Sequence, residues 1–476
     1  MRRRDFLIAT GAAVAALDAR TLAASPIARA TGRDLSGVIS AAAGSSPGGI
    51  ARPVPAPAQL AWQRDELAMF IHFGVNTFTD REWGDGSEVP AIFNPEALDA
   101  RQWARAAREA GFRAMVLTAK HHDGFCLWPT RTTTHSVVRS PWRGGEGDLV
   151  REFVDACRAE GLRPGVYLSP WDQNHPAYGD SERYNAVYCD QLTELLTNYG
   201  PMAEVWFDGA NGEGPNGRRQ VYDWPRFWGL VKQLQPEAVI FSDAGPDVRW
   251  GGNEQGVAGD PNWSTVDPAR VPYPGMSGDG VIEALQHGDP QGTVWRPAES
   301  DTSIRPGWFY HPAEDERVKS ADRLVELYFL AVGRNSKLLL NVPPTPAGLL
   351  HATDVAHLAG MHQRLRTMFA EDLAAELQPA WRDTGEGSAE GVWDLGREVP
   401  VSIVRLEEQI EFGQSVARYR VEGFGGGRWR ELSAGSTIGY AKLDRYEGGT
   451  VSRVRVRIEE AVGPVLPVRM MLFGAP

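Results

Sequence analysis

The chain has 476 residues, more than one ordinary domain holds, and its 42% hydrophobic and 23% charged residues fit a folded globular protein. A net charge of -12 argues against nucleic acid or an anionic membrane as partner. Three cysteines, Cys126, Cys157 and Cys189, show no CxxC spacing, so neither a zinc knot nor a disulfide framework is expected, and buried thiols are.

The N-terminus reads MRRRDFLIATGAAVAALDA, a basic start and an apolar run from Phe6 to Leu17. That run is short for a membrane span, and small residues follow it, with cleavage candidates near Ala24 and Ala30. Residues 1–30 therefore read as a signal peptide. Arg3 and Arg4 before Asp5, Phe6 and Leu7 resemble a bacterial twin-arginine signal, which implies export to the periplasm or beyond and no membrane in the mature form. Residues 31–58, rich in Ala, Gly, Ser and Pro, read as a linker.

From residue 67 strands alternate with helices. LAMFIHFGVN (67–76) reads as a buried strand, and ARQWARAAREAG (100–111) as an amphipathic helix ending at Gly111, a natural cap. FRAMVLTAKH (112–121) is the next strand, 148–161 a helix, and 162–172 a strand. A helix over 182–200 leads into AEVWFDG (203–209), a strand. A helix over 224–236 and a strand over 238–245 follow. After an irregular Gly/Pro-rich stretch (246–312) with room for two more strands come a helix over 321–335 and a strand over 336–344. This βαβ beat implies a parallel sheet, and a (β/α)8-like barrel over 59–375 explains it better than an open sheet. No GxGxxG follows the first strand, which disfavours a dinucleotide fold. After a helix over 351–375, period-two alternation such as SVARYRVEGF predicts a C-terminal antiparallel β-sandwich over 376–476.

Barrel active sites lie at the C-terminal strand ends. Those ends carry His72, His121 and His122, Tyr167 with Trp171 and Asp172, Trp206 with Asp208, and Asp243. A buried carboxylate such as Asp208 is costly unless paired or used. Neither metal nor cofactor is expected: IHFG carries one His where metal-dependent barrel hydrolases show His-x-His, and adjacent His121 and His122 would face opposite ways on a continuing strand. Two carboxylates working on a glycosidic bond remain, in a retaining enzyme roughly 5–5.5 Å apart. Asp208 suits the nucleophile. Its partner is Glu213, Glu254, Glu283 or Glu299, and composition does not choose. Sixteen Trp residues suit sugar stacking, although core packing accounts for most of such a number.

The blocks IHFGVNTFTDREWGDG (71–86), AKHHDGFCLWPT (119–130), GVYLSPWD (165–172) and EVWFDGA (204–210) resemble the glycoside hydrolase family 29 α-L-fucosidases. RWGGNEQG (249–256), ESDTSIRPGWFYH (299–311) and LLLNVPP (338–344) agree, in the family's order. The resemblance implies a retaining exo-hydrolase that removes terminal α-L-fucose from fucosylated glycans, with Asp208 as nucleophile. The NEQG block is similar to the branch acting on α-1,3 and α-1,4 linkages, which points to Glu254 as acid/base, with Glu299 the competitor. The sugar-binding positions it implies are His72, Glu82, Trp83, His121, His122, Tyr167, Trp206, Arg249 and Trp308. The other readings are a related exo-glycosidase such as an α-L-galactosidase and a catalytically inactive glycan-binding protein.

Overall fold

The computed structural model describes residues 52–385 and 387–474. The twin-arginine segment and residues 31–51 of the expected linker lie outside the described residues. No helix among the described residues is long and apolar enough to cross a membrane.

Eight parallel strands close into a barrel. In chain order they are β1 (Leu67–Ile71), β2 (Ala114–Lys120), β3 (Arg163–Leu168), β4 (Glu204–Trp206), β5 (Val239–Ser242), β6 (Val248–Trp250), β9 (Ala298–Ser303) and β10 (Ser336–Asn341). A short antiparallel pair, β7 (Thr265–Val266) and β8 (Val294–Trp295), sits in the excursion between β6 and β9. Helices Ala100–Ala110, Leu149–Ala159, Ser181–Asn198, Trp224–Leu234, Ala321–Ala331 and Ala352–Met368 cover the barrel. The first three start at Asp99, Asp148 and Asp180, whose side chains cap the first-turn amides.

The barrel strands bury both faces, which is why β1 to β5 read as largely apolar runs. Met69, Ile71, Met115, Leu117, Val205 and Ile240 pack outward against the helices. Ala68, Phe70, Val116, Tyr167, Trp206, Phe241 and Leu339 fill the interior. Trp62, on the helix Pro57–Arg64, belongs to this inner core and donates its indole N–H to Glu204 at the start of β4 (2.9 Å). It plugs the N-terminal end of the barrel.

The irregular stretch departs most from the expected beat. Val248–Trp250 pairs with β5 after a five-residue link without a helix, and β9 reads AESDTS. All six β9 residues are buried, although five of them are polar. Register explains them: Lys337 pairs with Glu299 and Leu339 with Asp301, so Glu299 and Asp301 share the inward face with Leu339. The helix Asp279–His287 also lies in this stretch.

Beyond the helix Ala352–Met368 two antiparallel sheets enclose a second core. One has five strands between Ala380 and Ala461; the other pairs Ile403–Glu407 with Lys442–Arg445 and Arg469–Phe473. Val404, Leu406 and Leu472 from the smaller sheet meet Trp393, Val421 and Val456 from the larger. Arg405 crosses to the barrel, pairing with Glu66 just before β1.

Candidate active site

A pocket of about 1230 Å³ opens at the C-terminal ends of the barrel strands. Asp208 stands two residues beyond β4. Its Oδ2 accepts the Tyr167 hydroxyl at 3.0 Å, and its Oδ1 accepts the Ala210 amide at 2.7 Å. His122 Nε2 is 3.7 Å from Oδ2. The carboxylate is thus oriented by Tyr167 on the neighbouring strand and by an amide of its own loop, with His122 beside it.

Gly209 follows because nothing larger fits. A Cβ there would lie 2.4 Å from Asp243 Oδ2 and 2.6 Å from the Gly275 amide. That amide donates to Asp243 at 2.8 Å, which seats the 271–279 segment against the pocket wall.

His121 and His122 both line the pocket. They escape strand alternation because β2 ends at Lys120, and their rings lie 4.1 Å apart. Ser169 gives its hydroxyl hydrogen to Trp171 O and accepts from His122 Nδ1 at 2.7 Å. Nε2 is then the nitrogen near Asp208. His72 follows β1 directly, with Nδ1 2.9 Å from Asn341 Oδ1. The Asn341 amide nitrogen is spent on Trp308 O and Ser303 Oγ, so its oxygen accepts from His72. Burial lowers the His72 pKa to about 4 against the pull of this hydrogen bond, so the ring is neutral near pH 7 with Nε2 as an acceptor.

Glu82 stands at the mouth, where its carboxylate accepts the Trp308 amide (2.6 Å), the Phe309 amide (3.3 Å) and His311 Nε2 (3.1 Å). The hydrogen bond to Glu82, and a second to Asp80, raise His311 to about 9 against the desolvation of its half-buried ring. Trp83 meets His122 and Trp171 edge-on. Trp206 forms the floor, stacked on Phe241 at 4.0 Å, while Trp308 lies 5.2 Å from His72.

The four candidate partners of Asp208 separate. Glu254 and Glu213 both line the pocket, Glu254 half-buried and Glu213 exposed. Glu283 is exposed and pairs with Arg270 at 3.7 Å. Glu299 is fully buried below the floor, accepting the Trp206 indole N–H at 3.1 Å. Burial first, then the Glu204 charge, pushes its carboxyl well above the usual range. No group of three or more His, Cys, Asp or Glu side chains suited to a metal occurs among the described residues.

A family model described as Alpha-L-fucosidase matches residues 54–368, most of the described chain before the sandwich. The chain belongs to the α-L-fucosidase family. It is similar to Alpha-L-fucosidase 1 of Arabidopsis thaliana, with 42% identity over 429 residues covering 84% of this chain and 83% of the relative. A glycoside hydrolase 29 family member from an unknown rumen bacterium superimposes with a TM-score of 0.83 and 40% identity, covering 90% of this chain and 78% of that one. A Ruminococcus gnavus GH29 fucosidase solved in complex with fucose gives a TM-score of 0.79 at 30% identity, covering 91% of this chain and 97% of that one. The protein is accordingly a glycoside hydrolase, an α-L-fucosidase acting on fucosylated glycans.

In the fucosidase, His72, Glu82, Trp83, His121, His122, Tyr167, Trp206, Asp208, Glu254 and Trp308 all line one pocket. Arg249 does not join them. Its buried guanidinium turns to the Leu285 and Arg296 carbonyls and to Asn262, outside the pocket. It follows Val248, which faces the interior, so alternation sends Arg249 outward. Trp250, Asp301, His311 and Lys319 line the pocket without having been expected there. Trp250 and Asp301 belonged to the stretch with no visible strand pattern. The block GWFYH already placed His311 beside Trp308.

Proposed function

We propose that the fucosidase is a retaining exo-enzyme in which Asp208 is the nucleophile and Glu254 the acid/base. The observation that carries this reading is that these two carboxyl groups line one pocket, whereas Glu299 lies beneath its floor. In the first step Asp208 bonds to the anomeric carbon as the bond to the leaving oxygen breaks, and the Glu254 proton passes to that oxygen. In the second, Glu254 takes a proton from water, whose oxygen displaces Asp208 and releases fucose. Tyr167 and Ala210 hold the carboxylate in line for attack. His72, His121 and His122 meet the sugar hydroxyls, while Trp206 and Trp308 wall the ring face and methyl group.

The preferred linkages in this reading are α-1,3 and α-1,4, beside a branching sugar. The NEQG resemblance supports this, as does the pocket volume, which leaves space past Asp208 for more than one leaving-group ring. The enzyme works after twin-arginine export, on the reading of Arg3 and Arg4. Proton NMR of the first-formed fucose tests the stereochemistry: the α-anomer is expected, and β-fucose would overturn the double displacement. Linkage is tested by competing branched α-1,3/1,4-fucosylated oligosaccharides against α-1,2 and α-1,6 isomers. Preference for the isomers would overturn it.

A further inference from the structure

Glu254 sits on a loop, Gly251 to Gly256, that rests on β9. The Gly251 amide donates to Glu299 O at 2.7 Å and the Gly256 amide to Asp301 O at 3.0 Å. Within the loop Asn253 bridges Gly251 O and Val257 O and accepts the Gln255 amide. Gly256 has a φ of 68°, and a Cβ on it would lie 2.9 Å from Thr302 Cγ2. Only glycine lets the loop lie this close to the strand.

Asp301 touches both ends of this arrangement. Its backbone carbonyl holds Gly256, and its carboxyl Oδ1 accepts the Trp250 indole N–H at 2.7 Å. Glu254 lies in sequence between those two contacts. Asp301 faces inward from β9 and lines the pocket, one inward position nearer its mouth than Glu299. Burial first, and then the charge of Glu254, holds its carboxyl well above the usual range. A carboxyl that favours its neutral form can keep accepting the Trp250 indole N–H while Glu254 gives up and regains its proton.

We propose that Asp301 is a positioning residue for Glu254, fixing Trp250 and the 251–256 loop so that the Glu254 carboxyl meets the leaving oxygen. This rests on the reading of Glu254 as proton donor. The consequence is specific. Loss of positioning harms only departures that need a proton, so the damage depends on the leaving group.

The test compares kcat/KM of full-length D301A, D301N, W250F and E254A on a dinitrophenyl and a methoxyphenyl α-L-fucoside. The first phenol leaves without a proton and the second needs one. E254A is expected to lose about 10²- to 10⁴-fold on the methoxyphenyl substrate and far less on the other. D301A and W250F are expected to show the same pattern more weakly, about tenfold or more against about twofold or less. D301N, whose amide oxygen still accepts the indole N–H, is expected to stay within about threefold of wild type on both. W250F decides the matter if D301A does not fold. Equal losses on both substrates in D301A or W250F, with E254A still selective, would overturn the role of Asp301. Equal losses in E254A would instead remove Glu254 as donor.

Discussion

Glu299 lies beneath Trp206, the pocket floor, and the two are hydrogen-bonded, the carboxyl Oε2 accepting the indole N–H at 3.1 Å. The pair is buried, with Lys337 Nζ 3.9 Å from Oε1 and Glu204 nearby. Glu299 therefore supports the floor and does not line the pocket.

The two glutamates should respond oppositely to the same substitution. Burial favours the protonated form of Glu299, and Glu299→Gln is neutral and keeps an acceptor for Trp206. Its kcat on a branched oligosaccharide is expected within about fivefold of wild type, whereas Glu254→Gln loses about 10²- to 10⁴-fold. Steady-state kinetics on the two variants checks this, and the reverse ranking would exchange their roles.

His311 predicts an alkaline limit to stability. Its pKa rises from 6.5 in the unfolded chain to about 9 in the folded one, chiefly through its hydrogen bond to Glu82. The contribution is complete below 6.5 and is lost as pH rises through about 9. Thermal unfolding of wild type and His311→Gln across that range is expected to converge at high pH. A constant difference would contradict the ion-pair account.

His72 predicts the opposite limb. Its folded pKa of about 4 lies below the unfolded 6.5, so its neutral form favours folding above 6.5 and that advantage fades as pH falls toward 4. His72→Phe keeps an aromatic ring but loses the nitrogen that would accept a sugar hydroxyl. A cost of about 1–3 kcal/mol in kcat/KM is expected, five- to 150-fold. Undiminished kcat/KM would remove His72 from the sugar site.

Gly209→Ala should strain the wall beside the nucleophile. The added methyl would lie 2.4 Å from Asp243 Oδ2 and 2.6 Å from the Gly275 amide, displacing the 271–279 segment. A stability loss of about 1–3 kcal/mol is expected in urea unfolding. An unchanged midpoint would show that the segment yields freely.

How far the sequence reveals the fold depends on where each strand's partners lie. The β1 to β5 strands announce themselves because burial on both faces demands unbroken apolar runs. Asp208 stood out for the same reason, as a charge at the end of one. The β9 strand is invisible to that test: Glu299 needs Trp206, Asp301 needs Trp250 and Ser300 needs Ser336, all distant in sequence. Arg249 is expected from the resemblance of the RWGGNEQG block, and Val248–Trp250 is too short for the sequence to show that it faces outward. That Glu299 and Asp301 face inward likewise follows from register, which no single strand carries.

The most direct test of the central claim is to trap the intermediate with a fluorinated fucosyl fluoride and locate the added mass by peptide mass spectrometry. The account predicts a single fluorofucosyl group esterified to Asp208, with no adduct in Asp208→Ala. A stable adduct on another carboxylate would contradict it.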